Sequence, residues 1–268
     1  MVRRSIALFL SMLLLCGTAA GCAKRGLEAE PDQWKLEDFA GCLEARFDTA
    51  AEEYPLLEGT EEENTVCVLR GAEEGPTVYL VAGVHGDEVA GWRAGNLLKE
   101  ATLKAGTLYI VSPANLYGAR EDQRKTKSDR DLNRSFPGDP EGWDAQRIAY
   151  AIFTDIQDKQ PDLVLDLHEA RSKQGDRDAL GNSLICQSLD GIGDLILEAL
   201  LASEAGELCG SALTLYGSPP AGSINQTVTE MLGIPTVTVE TYREEPLARR
   251  VQNQLEFVQY VLEYYEMR

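Results

Sequence analysis

Val78-Tyr79-Leu80-Val81-Ala82-Gly83-Val84-His85-Gly86-Asp87-Glu88 decides how this chain is read. Val78–Ala82 is a short continuous apolar run, the pattern of a strand buried on both faces. His85 leaves its carboxyl end between Gly83 and Gly86, which permit tight backbone, and Glu88 opens the helical pattern that follows. The chain has only two histidines, and the second repeats the arrangement: Leu163-Val164-Leu165 runs into Asp166-Leu167-His168-Glu169. In an open α/β sheet, ligands bind at the carboxyl ends of the strands. A catalytic zinc takes three His or carboxylate ligands and leaves a position open. His85, Glu88 and His168 can supply them.

Outward from these two strands, strands alternate with helices. Thr65–Leu69 and Leu108–Val111 read as strands, as do Leu184–Cys186, Ala212–Leu215 and Thr236–Glu240; 88–101, 145–156, 192–201 and 225–232 read as helices. Residues 34–53 are weakly helical. Residues 114–141 read as one long polar loop, a length that in a compact domain usually serves function. Val251, Leu255, Val258, Leu262 and Tyr265 recur at helical spacing and close the chain. The expected fold is α/β: three α/β/α layers around a mostly parallel mixed sheet.

Residues 1–22 read as an export signal, with basic Arg3-Arg4, a short apolar run and small residues before Cys22. Ala19-Ala20-Gly21-Cys22 resembles a lipobox, although Ala19 stands where leucine is usual. The expectation is a protein held at the outer face of a bacterial membrane by lipid on Cys22, with plain secretion as the alternative. Residues 23–33 read as a linker and 34–268 as a single domain. Cys42, Cys67, Cys186 and Cys209 allow up to two disulfides or four buried thiols. A net charge of −19 argues against nucleic acid or an anionic membrane surface as partner. Against that balance, residues 120–134 hold six Lys/Arg and four Asp/Glu, a locally cationic stretch suited to an anionic group. For Lys125, Lys127 and Arg130, pairing within the loop is the favoured reading.

Asp131-Leu132-Asn133-Arg134 completes a series: Gly-x-His-Gly-x-Glu, Asp-x-Asn-Arg, Asp-Leu-His, and a late strand ending in Glu240. In this order the motifs resemble the M14-type zinc carboxypeptidases and the related succinylglutamate desuccinylase/aspartoacylase family, from about Thr65 to the C-terminal helix. The resemblance implies one zinc per chain on His85, Glu88 and His168, and Asn133 and Arg134 gripping a substrate carboxylate. It further implies Arg124 stabilising the oxyanion and Glu240 as general base toward water. The chemistry agrees: zinc lowers the pKa of bound water, and a carboxylate beside it can accept the proton. Asp166 reads either as a partner orienting a histidine or as a strand-end polar residue. Glu169 points elsewhere and is not expected to be a ligand.

The expected function is an exported zinc hydrolase cleaving an amide next to a free carboxylate. A peptide substrate is favoured over a small N-acyl amino acid because of export. The alternatives are a small acyl-amino-acid deacylase and a non-catalytic zinc-binding lipoprotein. A serine hydrolase fails for want of a Gly-x-Ser-x-Gly elbow. The 28 residues after Glu240 are too few for the extra C-terminal β domain typical of the deacylases, so the chain reads as a minimal catalytic core.

Overall fold

A computed structural model of the chain describes residues 30–39, 52–171 and 180–268. The signal and Cys22, most of the linker, Cys42 and most of the weakly helical stretch lie outside the described residues.

Among the described residues, eight strands form one sheet in the order β1-β2-β4-β3-β5-β8-β6-β7. They are β1 (Glu52–Leu56), β2 (Asn64–Arg70), β3 (Glu73–Ala82), β4 (Ala105–Val111), β5 (Leu163–Ala170), β6 (Ser183–Ile185), β7 (Thr214–Tyr216) and β8 (Thr236–Tyr242). The centre, β4-β3-β5-β8, is parallel throughout. β2 joins β4 and β6 joins β8 in antiparallel fashion, so the sheet is mixed with a parallel heart. The helices are α1 (Val89–Leu98), α2 (Leu116–Glu121), α3 (Asp144–Lys159), α4 (Gly193–Glu204), α5 (Ile224–Leu232) and α6 (Leu247–Tyr264).

Strand alternation divides the core in two. Val78, Leu80, Ala82 and Leu163, Leu165, Leu167 pack with α1, α4 and α6. Tyr79, Val81 and Val164 face the other way and pack with α3 and α5. The result is the expected three-layer α/β/α fold. Every residue of β5 is buried, which is why it reads as a continuous apolar run until Asp166.

Two elements depart from the sequence reading. Residues 52–56 form an edge strand, antiparallel to β2, where weak helix was expected at 52–53. Pro55 disguises it; proline is tolerated on an edge because it owes no ladder hydrogen bond on the open side. The polar loop 114–141 carries its own short helix α2 and a 3-10 turn over Leu132–Arg134. Asn115 caps α2 by accepting from the Gly118 amide. Cys186 and Cys209 are buried thiols, and Cys67 is buried as well; burial pushes the Cys186 thiol up to about 12.

Candidate active site

β3 and β5 are parallel neighbours, with Ala82 opposite Leu167, so their carboxyl ends deliver His85 and His168 to one place. The rings lie 4.9 Å apart, centroid to centroid. Gly83 has φ +71°, a left-handed turn that bends the chain off β3. Gly86 sits where a Cβ would fall 1.9 Å from the Gly118 backbone, so α2 can close over the turn only if this residue is glycine. Glu88 follows at the start of α1, and its carboxylate lies between the histidines: Oε1 is 2.8 Å from His85 Nδ1 and Oε2 is 2.6 Å from His168 Nδ1.

The far nitrogen of each ring is also held by a carboxylate. His85 Nε2 lies 3.0 Å from Asp131 Oδ1, and His168 Nε2 lies 3.0 Å from Asp166 Oδ2. A histidine ligand is typically oriented in this way through its second nitrogen, leaving the first for the metal. The potential ligand atoms of His85, Glu88 and His168 all lie within 4.8 Å of one another, and all three side chains are buried. Two imidazoles, one carboxylate and two orienting carboxylates are a donor set that fits zinc. Asp166 therefore takes the orienting position that the sequence left open. Asp131 has the same position and was not singled out; its signal was its place at the head of the Asp-x-Asn-Arg motif. Its second role is local: Oδ1 also accepts from the Asn133 amide at 2.9 Å, which starts the 3-10 turn.

The electrostatics follow from this packing. Burial opposes the Glu88 charge, but His85 and His168 outweigh it and hold the carboxyl well below its usual range. Burial likewise works against a charged His168, yet Asp166 and Glu88 raise it well above an ordinary histidine. Glu240 behaves differently. It ends β8 directly opposite His168 in the parallel register. Burial pushes its carboxyl up to about 8; His168 and Arg124 pull it down, while Glu88 and Asp166 add to the rise. Among the described residues its buried Oε2 has no hydrogen-bond partner, and the residue lines the pocket.

His85, Glu88, His168, Glu240, Arg124, Asn133 and Arg134 all line one cavity of about 240 Å³. Thus all seven candidate residues come together. Their engagements differ. Arg124 donates to Glu88 Oε1 at 3.0 Å and approaches Asp131 Oδ2 at 3.4 Å. Asn133 is buried, its Oδ1 accepting from the Ile224 amide and its Nδ2 3.4 Å from His168 Nε2. Arg134 is exposed at the rim and donates one N–H to the Asn133 carbonyl at 2.7 Å; among the described residues the rest of its fork is open. Elsewhere in the loop, Lys125 pairs with Asp129 as expected, whereas Lys127 pairs outside the loop, with Glu61. Arg130 instead lies over the Trp143 ring at 5.5 Å. Pro219, Pro220 and Ile185 add apolar lining to the cavity.

Comparison with known proteins agrees with this geometry. Residues 74–188 match the family described as the succinylglutamate desuccinylase/aspartoacylase catalytic domain. The N-alpha-acetyl-L-2,4-diaminobutyric acid deacetylase of Halomonas elongata is 41% identical over 100 residues, 35% of this chain and 29% of that protein. The chain thus spans under a third of the length of that curated relative. A succinylglutamate desuccinylase/aspartoacylase structure from Rhodobacter sphaeroides superposes with a TM-score of 0.58 at 21% identity, covering 82% of this chain and 67% of that one. A variant of the cell shape determinant protein Csd4 from Helicobacter pylori gives 0.65 at 19% identity, over 76% and 55%. At these identities the two structures establish likeness of fold.

Proposed function

We propose that this chain, which carries a catalytic domain of the succinylglutamate desuccinylase/aspartoacylase family over residues 74–188, is an exported zinc hydrolase that cleaves an amide bond next to a free carboxylate. One observation carries the reading. The buried cluster of His85, Glu88 and His168 shares its cavity with a carboxyl, Glu240, that has one oxygen without a partner among the described residues.

Zinc held by those three residues would supply the positive charge that polarises a carbonyl and acidifies water. The chain's own groups do the rest. Glu240 accepts a proton from the attacking water and passes it to the leaving amine; a carboxyl with a raised pKa suits both directions near neutral pH. Arg124 commits only part of its fork to Glu88 and Asp131, and its remaining donors face charge developing on the carbonyl oxygen. Arg134, at the rim, receives the substrate carboxylate through paired N–H groups. Asn133, pinned by Ile224 and packed against His168, fixes the floor on which that carboxylate rests.

The favoured substrate is a peptide with a free carboxylate, in keeping with the export expected from residues 1–22. Lipid on Cys22 completes that proposal, and intact mass of membrane-extracted protein tests it; an unmodified N-terminus in the medium contradicts it. A second reading, deacylation of a small N-acyl amino acid, is favoured by the 41% identity over 100 residues to a deacetylase. Metal analysis of the purified full chain, with turnover on a panel of free-acid peptides and N-acyl amino acids, tests both. One zinc per chain with turnover of either class is expected. A chain that binds no zinc and hydrolyses neither overturns the proposal.

A further inference from the structure

A helix leaves its first N–H groups without partners, and the residue at its N-cap usually satisfies one of them with a side-chain oxygen. Glu88 occupies the N-cap of α1 and makes no such bond. Both of its oxygens are committed to His85 and His168. The missing acceptor arrives from another strand. Glu169, one residue beyond His168 on β5, turns its side chain to the opposite face of the sheet, and its Oε2 accepts from the Ala90 amide at 3.0 Å. Ala90 is the second residue of α1, which is where a capping oxygen binds. Its Oε1 accepts from Arg250 of α6, whose Nε is in turn fixed on the Glu245 carbonyl at 2.8 Å. The Glu169 side chain is fully buried. The Glu169 amide donates to Glu88 Oε2 at 3.1 Å, and Gln254 of α6 donates to the His168 carbonyl at 2.8 Å.

We propose that Glu169 is a positioning residue that caps α1 in place of Glu88, so that the side chain of Glu88 is freed for the metal cluster and held in register with His168. The inference rests on the zinc reading above. Glu169 is not one of the three clustered ligand residues, and both of its carboxylate oxygens are spent on Ala90 and Arg250. It joins the three elements whose relative placement sets the Glu88–His168 geometry: the end of β5, the start of α1, and α6. Arg250 fixes the orientation of the carboxylate that does so.

Two double variants isolate the cap from the buried ion pair. Glu169→Gln with Arg250→Gln keeps an acceptor for Ala90 and a neutral link to α6. Glu169→Ala with Arg250→Gln removes the acceptor and leaves no buried charge behind. The readout is zinc affinity of the full chain by competition with a chelator, at a temperature where each variant is folded by circular dichroism. Partners that orient metal ligands are typically worth 10–100-fold in metal affinity. The Ala-containing variant is expected to bind zinc about 10–100-fold more weakly than the wild type. The Gln-containing variant is expected to recover most of that loss. At saturating zinc, KM is expected to be unchanged in both. Asp155→Ala, which removes a buried carboxylate bonded to Tyr54 and Tyr79 far from the cluster, is expected to lower Tm without moving zinc affinity. Equal zinc affinity in the two double variants, or an equal loss in Asp155→Ala, overturns the positioning role. A wild-type chain that binds no zinc overturns the functional reading beneath it, a result distinct from either.

Discussion

Arg134→Ala tests whether the substrate is recognised through a carboxylate. Arg134 lines the cavity and spends one donor on the Asn133 carbonyl. Among the described residues it has no other hydrogen-bond partner, so four of its five N–H groups remain for a ligand. A hydrogen bond to a charged group contributes about 1.5–3 kcal/mol net. At 1.4 kcal/mol per tenfold, that is roughly 10- to 150-fold in kcat/KM. Arg134 is exposed, so solvent screens the contact and the lower end of the range, about 10-fold, is expected. The assay compares a free-acid substrate with its amide in wild type and variant. Amidation and Arg134→Ala should each reduce kcat/KM by about this factor. Together they should cost little more than either alone, because both remove the same contact. A wild-type enzyme that cleaves acid and amide equally well refutes the reasoning. Arg134 would then serve only to hold the turn at Leu132–Arg134.

Two further outcomes follow from the same geometry. His168→Ala should abolish zinc binding and turnover while the far-ultraviolet circular dichroism stays that of an intact sheet; stoichiometric zinc in that variant would exclude this ligand set. Asp144 should govern part of the acid stability. Burial opposes its charge, but the Ser128 hydroxyl and amide, Thr126 and the Ala145 amide hold its carboxyl below the usual value. A depressed carboxyl contributes stability that is complete above its unfolded pKa of about 3.9 and is lost as pH falls through the lower folded value. Urea midpoints between pH 5 and pH 3 should therefore fall more steeply for wild type than for Asp144→Asn, and parallel curves would contradict this.

Much of the site was legible because its parts sit where strand patterns end. Val78–Ala82 and Leu163–Leu165 are apolar runs of strand length, and in parallel neighbours the first polar residues past the run share one edge. His85 and His168 were therefore placed together without any contact being seen. Glu240 was singled out by the family resemblance, and its place at the end of β8, opposite His168, agrees with that. What escaped depends on tertiary partners. The strand at Glu52–Leu56 contains proline and two acidic residues, and pairing with β2 outweighs those local preferences. Asp131, at the head of the Asp-x-Asn-Arg motif, looked like one charge among ten in a polar loop; its distance to His85 gives it the orienting role. Glu169 was correctly read as pointing away from the histidine face. Its bond to Ala90 crosses from strand to helix, and its partner Arg250 lies 81 residues on, so no local pattern announces either.

The central claim is that a carboxyl beside the metal cluster moves the proton. Glu240→Gln keeps the shape of the side chain and removes its basicity, and Glu240 is not one of the three clustered ligand residues. Zinc content and turnover of this one variant, measured on the same preparation, test the claim most directly. One zinc per chain with turnover reduced by about 10²–10⁴ is the expected result, the contribution typical of a general acid–base group. Wild-type turnover in a zinc-loaded Glu240→Gln protein would contradict it.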